Sequence, residues 1–130
     1  MRTLALLALF STSSVFAASE ADREKAFKAD IAPILEKSCA NCHDPKKAKN
    51  GKVKSGFNSS SLADVIKGGT DDGVGITWGD ASKSSLYKSV NMTLSDPEHD
   101  DAMPPKKSQE KNPPLTKEQV AKIKAFIEAK

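Results

Sequence analysis

Two cysteines stand three residues apart, with a histidine directly after the second, in Cys39-Ala-Asn-Cys42-His43, and the chain has no other cysteine. On a helical turn, residues at i, i+3 and i+4 share one side. Such a turn presents two thiols and an imidazole together. Two sulfurs so placed can each form a thioether to the two vinyl groups of a haem, with His43 below the macrocycle to bind its iron. Three other chemistries use a C-x-x-C pair. A thiol–disulfide redox centre expects a βαβ setting, whereas the residues before Cys39 read as helix. A zinc site wants four ligands in paired short spacings, and the other histidine, His99, lies far along the chain. A disulfide across two intervening residues closes a loop too small to stabilise much. Covalently attached haem is the strongest reading.

The N-terminus agrees with it. "MRTLALLALFSTSSVFAA" has one positive charge at Arg2, an apolar run from Leu4 to Phe10, and a small-residue exit with Val15 and Ala17. This order marks residues 1–17 as a signal peptide cleaved after Ala17. The run is too short to anchor in a bilayer, and no cysteine follows the exit to carry a lipid. Covalent haem is attached outside the cytoplasm, so an exported chain, periplasmic in a Gram-negative cell, is expected. Residues 18–130 are then one domain's worth. They carry 19 basic and 17 acidic residues, a balance too even to imply nucleic acid or an anionic membrane. Their core is thin: Leu, Ile, Val and Phe number 19 of 113, under the roughly 20% at which a chain begins to lack the means to fold alone. A bound macrocycle would fill the middle.

The periodicity is helical throughout. Phe27, Ile31, Ile34 and Leu35 form one face. Pro33 predicts a kink there, or two short helices with Pro33 in the first turn of the second. A lysine-rich loop covers 45–58. "SSSLADVIKGG" predicts a short helix over 59–69, capped by serine and stopped by Gly68. A second is expected over 81–90, capped by Asp80 or Ser82, followed by a long polar connection from Asn91. In the last helix Thr116 and Gln119 make a capping box, and Val120, Ile123, Phe126 and Ile127 face inward.

The second axial ligand has three candidates. Met103 precedes two prolines, which hold it on a stiff, extended segment suited to a fixed Fe–S bond. Met92 reads more simply as core and His99 as a solvated loop residue, although either could ligate. Trp78, among Gly68, Gly69, Gly73, Gly75 and Gly79, either sits in a loop that needs positive φ or packs on the haem or bonds a propionate. Lys46, Lys47, Lys49, Lys52 and Lys54 form a solvated loop that could also dock an acidic redox partner. Asp96, Glu98, Asp100 and Asp101 read as a solvated loop and not a calcium site.

Taken in order, "IAPILEKSCANCH", "SLADVIKGG", "WGDASKSSLY", "MPP" and "LTKEQVAKIKAFI" resemble a class I cytochrome c, specifically the planctomycete-type cytochrome c domain. The resemblance spans almost all of residues 18–130. It implies a small all-α fold, with N- and C-terminal helices packed together around one haem. It implies Cys39 and Cys42 as the thioether residues, and His43 and Met103 as axial ligands. It departs at Asp44, where glycine is usual, and at Phe126-Ile127, where tryptophan-isoleucine is common. The expected role is one-electron transfer with a protein donor and acceptor, as a monomer or as a subunit of a redox complex. No acid–base set suggests an enzyme. The rivals are a haem protein with an open sixth site, for ligand binding or catalysis, and a non-haem thiol or zinc protein.

Overall fold

The computed structural model describes residues 18–130; the expected signal peptide lies outside the described residues. The fold is all-α, with no strand among the described residues. None of the described helices is long and apolar enough to cross a membrane.

Ser19 opens the first helix, α1 (Glu20–Ala26), its hydroxyl accepting from the Asp22 N–H at 3.1 Å. The expected break at Pro33 takes an unusual form. Phe27–Ile31 is one wide π-helical turn, in which the Ala32 N–H reaches back to the Phe27 carbonyl. The helix then resumes as α2 (Ala32–Ser38) with Pro33 in its first turn. Proline has no N–H to give, and widening the preceding turn re-pairs the backbone without unwinding it. The turn also puts Phe27 and Ile31 inside, 2% and 0% exposed.

Cys39, with φ −121°, separates α2 from the single turn α3 (Ala40–His43). Two left-handed residues, Asn50 and Ser55, carry the lysine loop around to α4 (Leu62–Lys67). Ser61 caps α4 by accepting from the Asp64 N–H at 3.2 Å, and Gly68 ends it at φ +80°. The glycine-rich loop then folds back onto α4: the Gly75 N–H donates to the Ile66 carbonyl at 3.0 Å. A Cβ on Gly75 would fall 1.8 Å from the Val65 carbonyl oxygen, which is backbone and cannot step aside. Gly75→Ala is therefore expected to cost about 1–3 kcal/mol or more, read as a lower denaturation midpoint at unchanged m-value.

Helix α5 (Ser85–Ser95) differs from the expected 81–90. Residues Ala81–Lys83 form a separate 3-10 turn, capped by Asp80, whose carboxylate accepts from the Lys83 N–H at 3.2 Å. Ser84 precedes α5 but does not cap it. Its buried hydroxyl is spent elsewhere, accepting from the Thr77 N–H at 2.8 Å and donating to the Asp80 carbonyl at 2.9 Å. The helix runs on to Ser95 because nothing stops it before Pro97, which drives Asp96 out of the helical region to ψ 84°.

The C-terminal helix α6 (Lys117–Glu128) starts at the expected box: Gln119 N–H to Thr116 Oγ1 at 3.2 Å, and Thr116 N–H to Gln119 Oε1 at 2.9 Å. Val120, Ile123, Phe126 and Ile127 are all buried. Phe126 meets Phe27 of the π-turn with centroids 6.2 Å apart, so the two terminal helical segments do pack together. Helix α6 also packs on α5, and Leu86 and Val90 of α5 belong to the same apolar cluster. Exposed Lys122 of α6 and Asp30 of the π-turn pair at 3.4 Å, which adds at most about 1 kcal/mol.

Candidate haem site

The donors of the Cys39–His43 turn are positioned by backbone bonds. Cys39 N–H donates to the Leu35 carbonyl at 2.8 Å, tying the turn to α2, and His43 N–H donates to the Cys39 carbonyl at 2.9 Å. Beside this turn lies a small cavity of about 50 Å³, walled chiefly by Cys39, His43, Phe57, Leu86, Val90 and Met103. Its lining is largely apolar side chain, with Ser55, Asp72, Ser85 and Ser89 as polar members.

His43 is oriented for ligation. Its Nδ1 lies 3.2 Å from the Phe57 carbonyl oxygen. A carbonyl only accepts, so Nδ1 carries the proton and the Nε2 lone pair is free for a metal. The Phe57 ring stands edge-on to the imidazole, with centroids 5.2 Å apart. Burial holds the His43 pKa below the usual imidazole value, against the opposing hydrogen bonds to the Phe57 and Lys54 carbonyls. The neutral form thus favoured is the one that binds metals.

Cys39 is buried, and burial, followed by the neighbouring Cys42, pushes its thiol up to about 12. Redox-active C-x-x-C pairs work through a lowered pKa, so this environment opposes thiol–disulfide exchange. Cys42 is half-buried and opens on the outer side of the turn, into a surface groove with Asn41, Lys107 and Lys111. Both thiols are free. Among the described residues, no three His, Cys, Asp or Glu side chains gather as a metal-ion site would require.

Met103 lines the same cavity as Cys39 and His43. Its N–H donates to the Ser89 carbonyl at 3.1 Å, and its carbonyl accepts from Thr93 Oγ1 at 2.9 Å. Met92 lies instead in an adjoining surface groove with Asp71, Lys88 and Asp101, which shares Asp72, Ser85 and Ser89 with the cavity. His99 is exposed, and its Nδ1 accepts from the Asp101 N–H at 3.1 Å. Of the three candidate second ligands, only Met103 is in the wall that contains His43.

Trp78 does not line the cavity. Its ring lies edge-on to Phe126, with centroids 5.3 Å apart, and under the Arg23 guanidinium at 4.2 Å. The Gly79 N–H beside it donates to the Ile127 carbonyl at 2.9 Å. Trp78 therefore joins α1 to α6. Asp44 fits its place without a glycine's freedom, at φ −107°, and its buried carboxylate accepts from the Lys46 N–H at 2.8 Å. Lys46, Lys47, Lys49, Lys52 and Lys54 are exposed, and Lys47 pairs with Glu36.

The model of one protein family, planctomycete cytochrome C, matches residues 39–107, from the first cysteine of the turn to just past Met103. The chain belongs to that family. Searches of curated proteins and of solved structures return no match. Family membership makes this a c-type cytochrome and implies covalently bound haem c. The residues present fit that group: Cys39, an imidazole with a free Nε2 and Met103 border an apolar cavity, and Cys42 stands on the same turn, facing the neighbouring groove. Four participants were not read from the sequence: Phe57, Leu86, Val90 and Thr93. Leu86 and Val90 at i, i+4 carry a sequence signal, since the cavity face of α5 repeats at helical spacing. The Phe57 carbonyl and the Thr93 hydroxyl carry none.

Proposed function

We propose that this cytochrome is an exported carrier of single electrons, with one haem c whose iron is ligated by His43 and Met103. The observation that carries the proposal is the shared cavity wall: His43 and Met103 line it, and Met92 and His99 do not. A haem held there supplies a Fe³⁺/Fe²⁺ couple. The single C-x-x-C-H in the chain supports one such group.

The protein's part is to hold donors still and keep water away. Cys39 and Cys42 fix the macrocycle through thioethers. The Phe57 carbonyl fixes the imidazole plane and increases the basicity of Nε2. Leu86, Val90 and Phe57 give the cavity a low-dielectric wall, and with a methionine sulfur this favours the reduced state relative to two imidazoles. No pair of groups in the cavity is arranged for acid–base work: its one carboxylate, Asp72, is exposed. Four of the five loop lysines have no ion-pair partner among the described residues. Lys54 lies close enough to act on the His43 charge, and this exposed basic loop is suited to an acidic redox partner, with salt-sensitive association. Export, to the periplasm of a Gram-negative cell, follows from the N-terminal sequence and from where haem c is attached.

The test is ligand exclusion. Dithionite-reduced holoprotein is expected to show no spectral change under carbon monoxide within minutes, because Met103 holds the sixth position. Rapid, stoichiometric carbon monoxide binding would replace the carrier with a ligand-binding or catalytic haem protein.

A further inference from the structure

Helix α5 presents Ser85, Leu86, Ser89 and Val90 to the cavity, and the same stripe continues one turn on to Thr93. Thr93 is 8% exposed. A buried β-branched residue on a helix is more simply valine, which matches its shape without a polar atom to satisfy. The hydroxyl at this position has a specific partner. Thr93 Oγ1 lies 2.9 Å from the Met103 carbonyl oxygen, and only 3.5 Å from the Ser89 carbonyl in its own helix. A helical threonine ordinarily bonds back to the residue four before it; here the shorter bond goes to the methionine.

Both backbone polar groups of Met103 are thus taken by α5. Its N–H donates to the Ser89 carbonyl at 3.1 Å, and its carbonyl accepts from Thr93. The flanking Ala102 and Pro104 are buried, so the segment lies against the helix and not out in solvent. Side chain and backbone have separate restraints: a metal can hold the sulfur, and α5 holds the peptide.

We infer that Thr93 is a positioning residue for the axial methionine: its hydroxyl clamps the Met103 peptide to α5, so that displacing the sulfur from iron also costs this hydrogen bond. The inference rests on Met103 being the ligand. When another ligand takes the sixth position and the segment moves off, the Thr93 bond breaks and the carbonyl is rehydrated. Removing the hydroxyl therefore weakens the methionine-bound state selectively.

The experiment titrates ferric holoprotein with imidazole, following the methionine-to-iron charge-transfer band, in wild type, Thr93→Val, Thr93→Ser and Met103→Ala. Thr93→Val keeps the shape and is expected to bind imidazole about fivefold or more tighter, the equivalent of about 1 kcal/mol for one hydrogen bond. Its charge-transfer band is expected to be weaker. Thr93→Ser keeps the hydroxyl and is expected to stay within twofold of wild type. Should Thr93→Val not retain haem, Thr93→Ser and Thr93→Ala form a second pair, alike in lacking the methyl group and differing only in the hydroxyl. Met103→Ala separates the two claims. If it abolishes the band while the hydroxyl-lacking variant matches wild type, the Thr93 inference is overturned and the ligand assignment stands. If it leaves the band intact, Met103 is not the ligand and both fall.

Discussion

Met103→Ala is expected to convert the ferric cytochrome from low to high spin, remove its charge-transfer band, and open the reduced form to carbon monoxide. Two other side chains could replace the sulfur. Met92 lies on α5 in the adjoining groove with Lys88 and Asp101, and His99 is turned outward with Asp101. Neither stands in the wall that holds His43, so Met92 would have to leave its groove and His99 would have to turn inward. A soft thioether favours the ferrous ion, and its loss lowers the midpoint potential. The drop is on the order of 0.1 V, a modest part of the ~0.8 V range that axial ligation spans. Potentiometric titration reads it. An unchanged potential together with an unchanged spectrum would remove Met103 from the site.

Cys39→Ser combined with Cys42→Ser is expected to have the larger effect on stability. With no thioethers, acid–organic extraction should strip all colour from the polypeptide, which wild type retains. The cost in stability follows from the cavity that Leu86, Val90 and Phe57 line. Leaving about 50 Å³ unfilled costs about 1 kcal/mol at about 24 cal/mol per Å³, which lowers the melting temperature by about 4 °C. Circular dichroism at rising temperature measures it. A double variant that kept its colour after extraction and its wild-type melting point would show that neither sulfur is bonded to haem.

The two ends of the site were the most legible from sequence, and their legibility has a physical reason. The Cys39–His43 turn is local: its spacing brings Cys39 and His43 to one cavity, although Cys39 breaks the helix at φ −121° and Cys42 opens into the next groove. The stiff segment at Met103 is also local, being imposed by Pro104 and Pro105. The box at Thr116 and Gln119 is equally self-contained, and it opens α6 as expected. What joins these pieces was not legible. The Phe57 carbonyl reaches His43 across 14 residues, and any residue could supply that carbonyl. The Thr93 hydroxyl reaches Met103 across 10 residues, and "NMTLS" read alone is simply polar. That polarity also hid the last turns of α5, because asparagine, threonine and serine lower helix propensity only slightly while packing on α6 and the Met103 segment decides the outcome. The packing of Trp78 was hidden for the converse reason: its glycine-rich surroundings say nothing of Arg23, more than fifty residues earlier, which supplies the cation over its ring.

The central claim is that one haem c sits in the cavity between the Cys39–His43 turn and Met103, ligated by nitrogen and sulfur. The visible spectrum of the holoprotein, made in a host able to attach haem c, tests it most directly. A low-spin c-type spectrum is expected in both oxidation states, with the methionine-to-iron charge-transfer band in the ferric form. A high-spin ferric spectrum without that band would contradict the ligation, and a colourless protein with two titratable thiols would contradict the claim entirely.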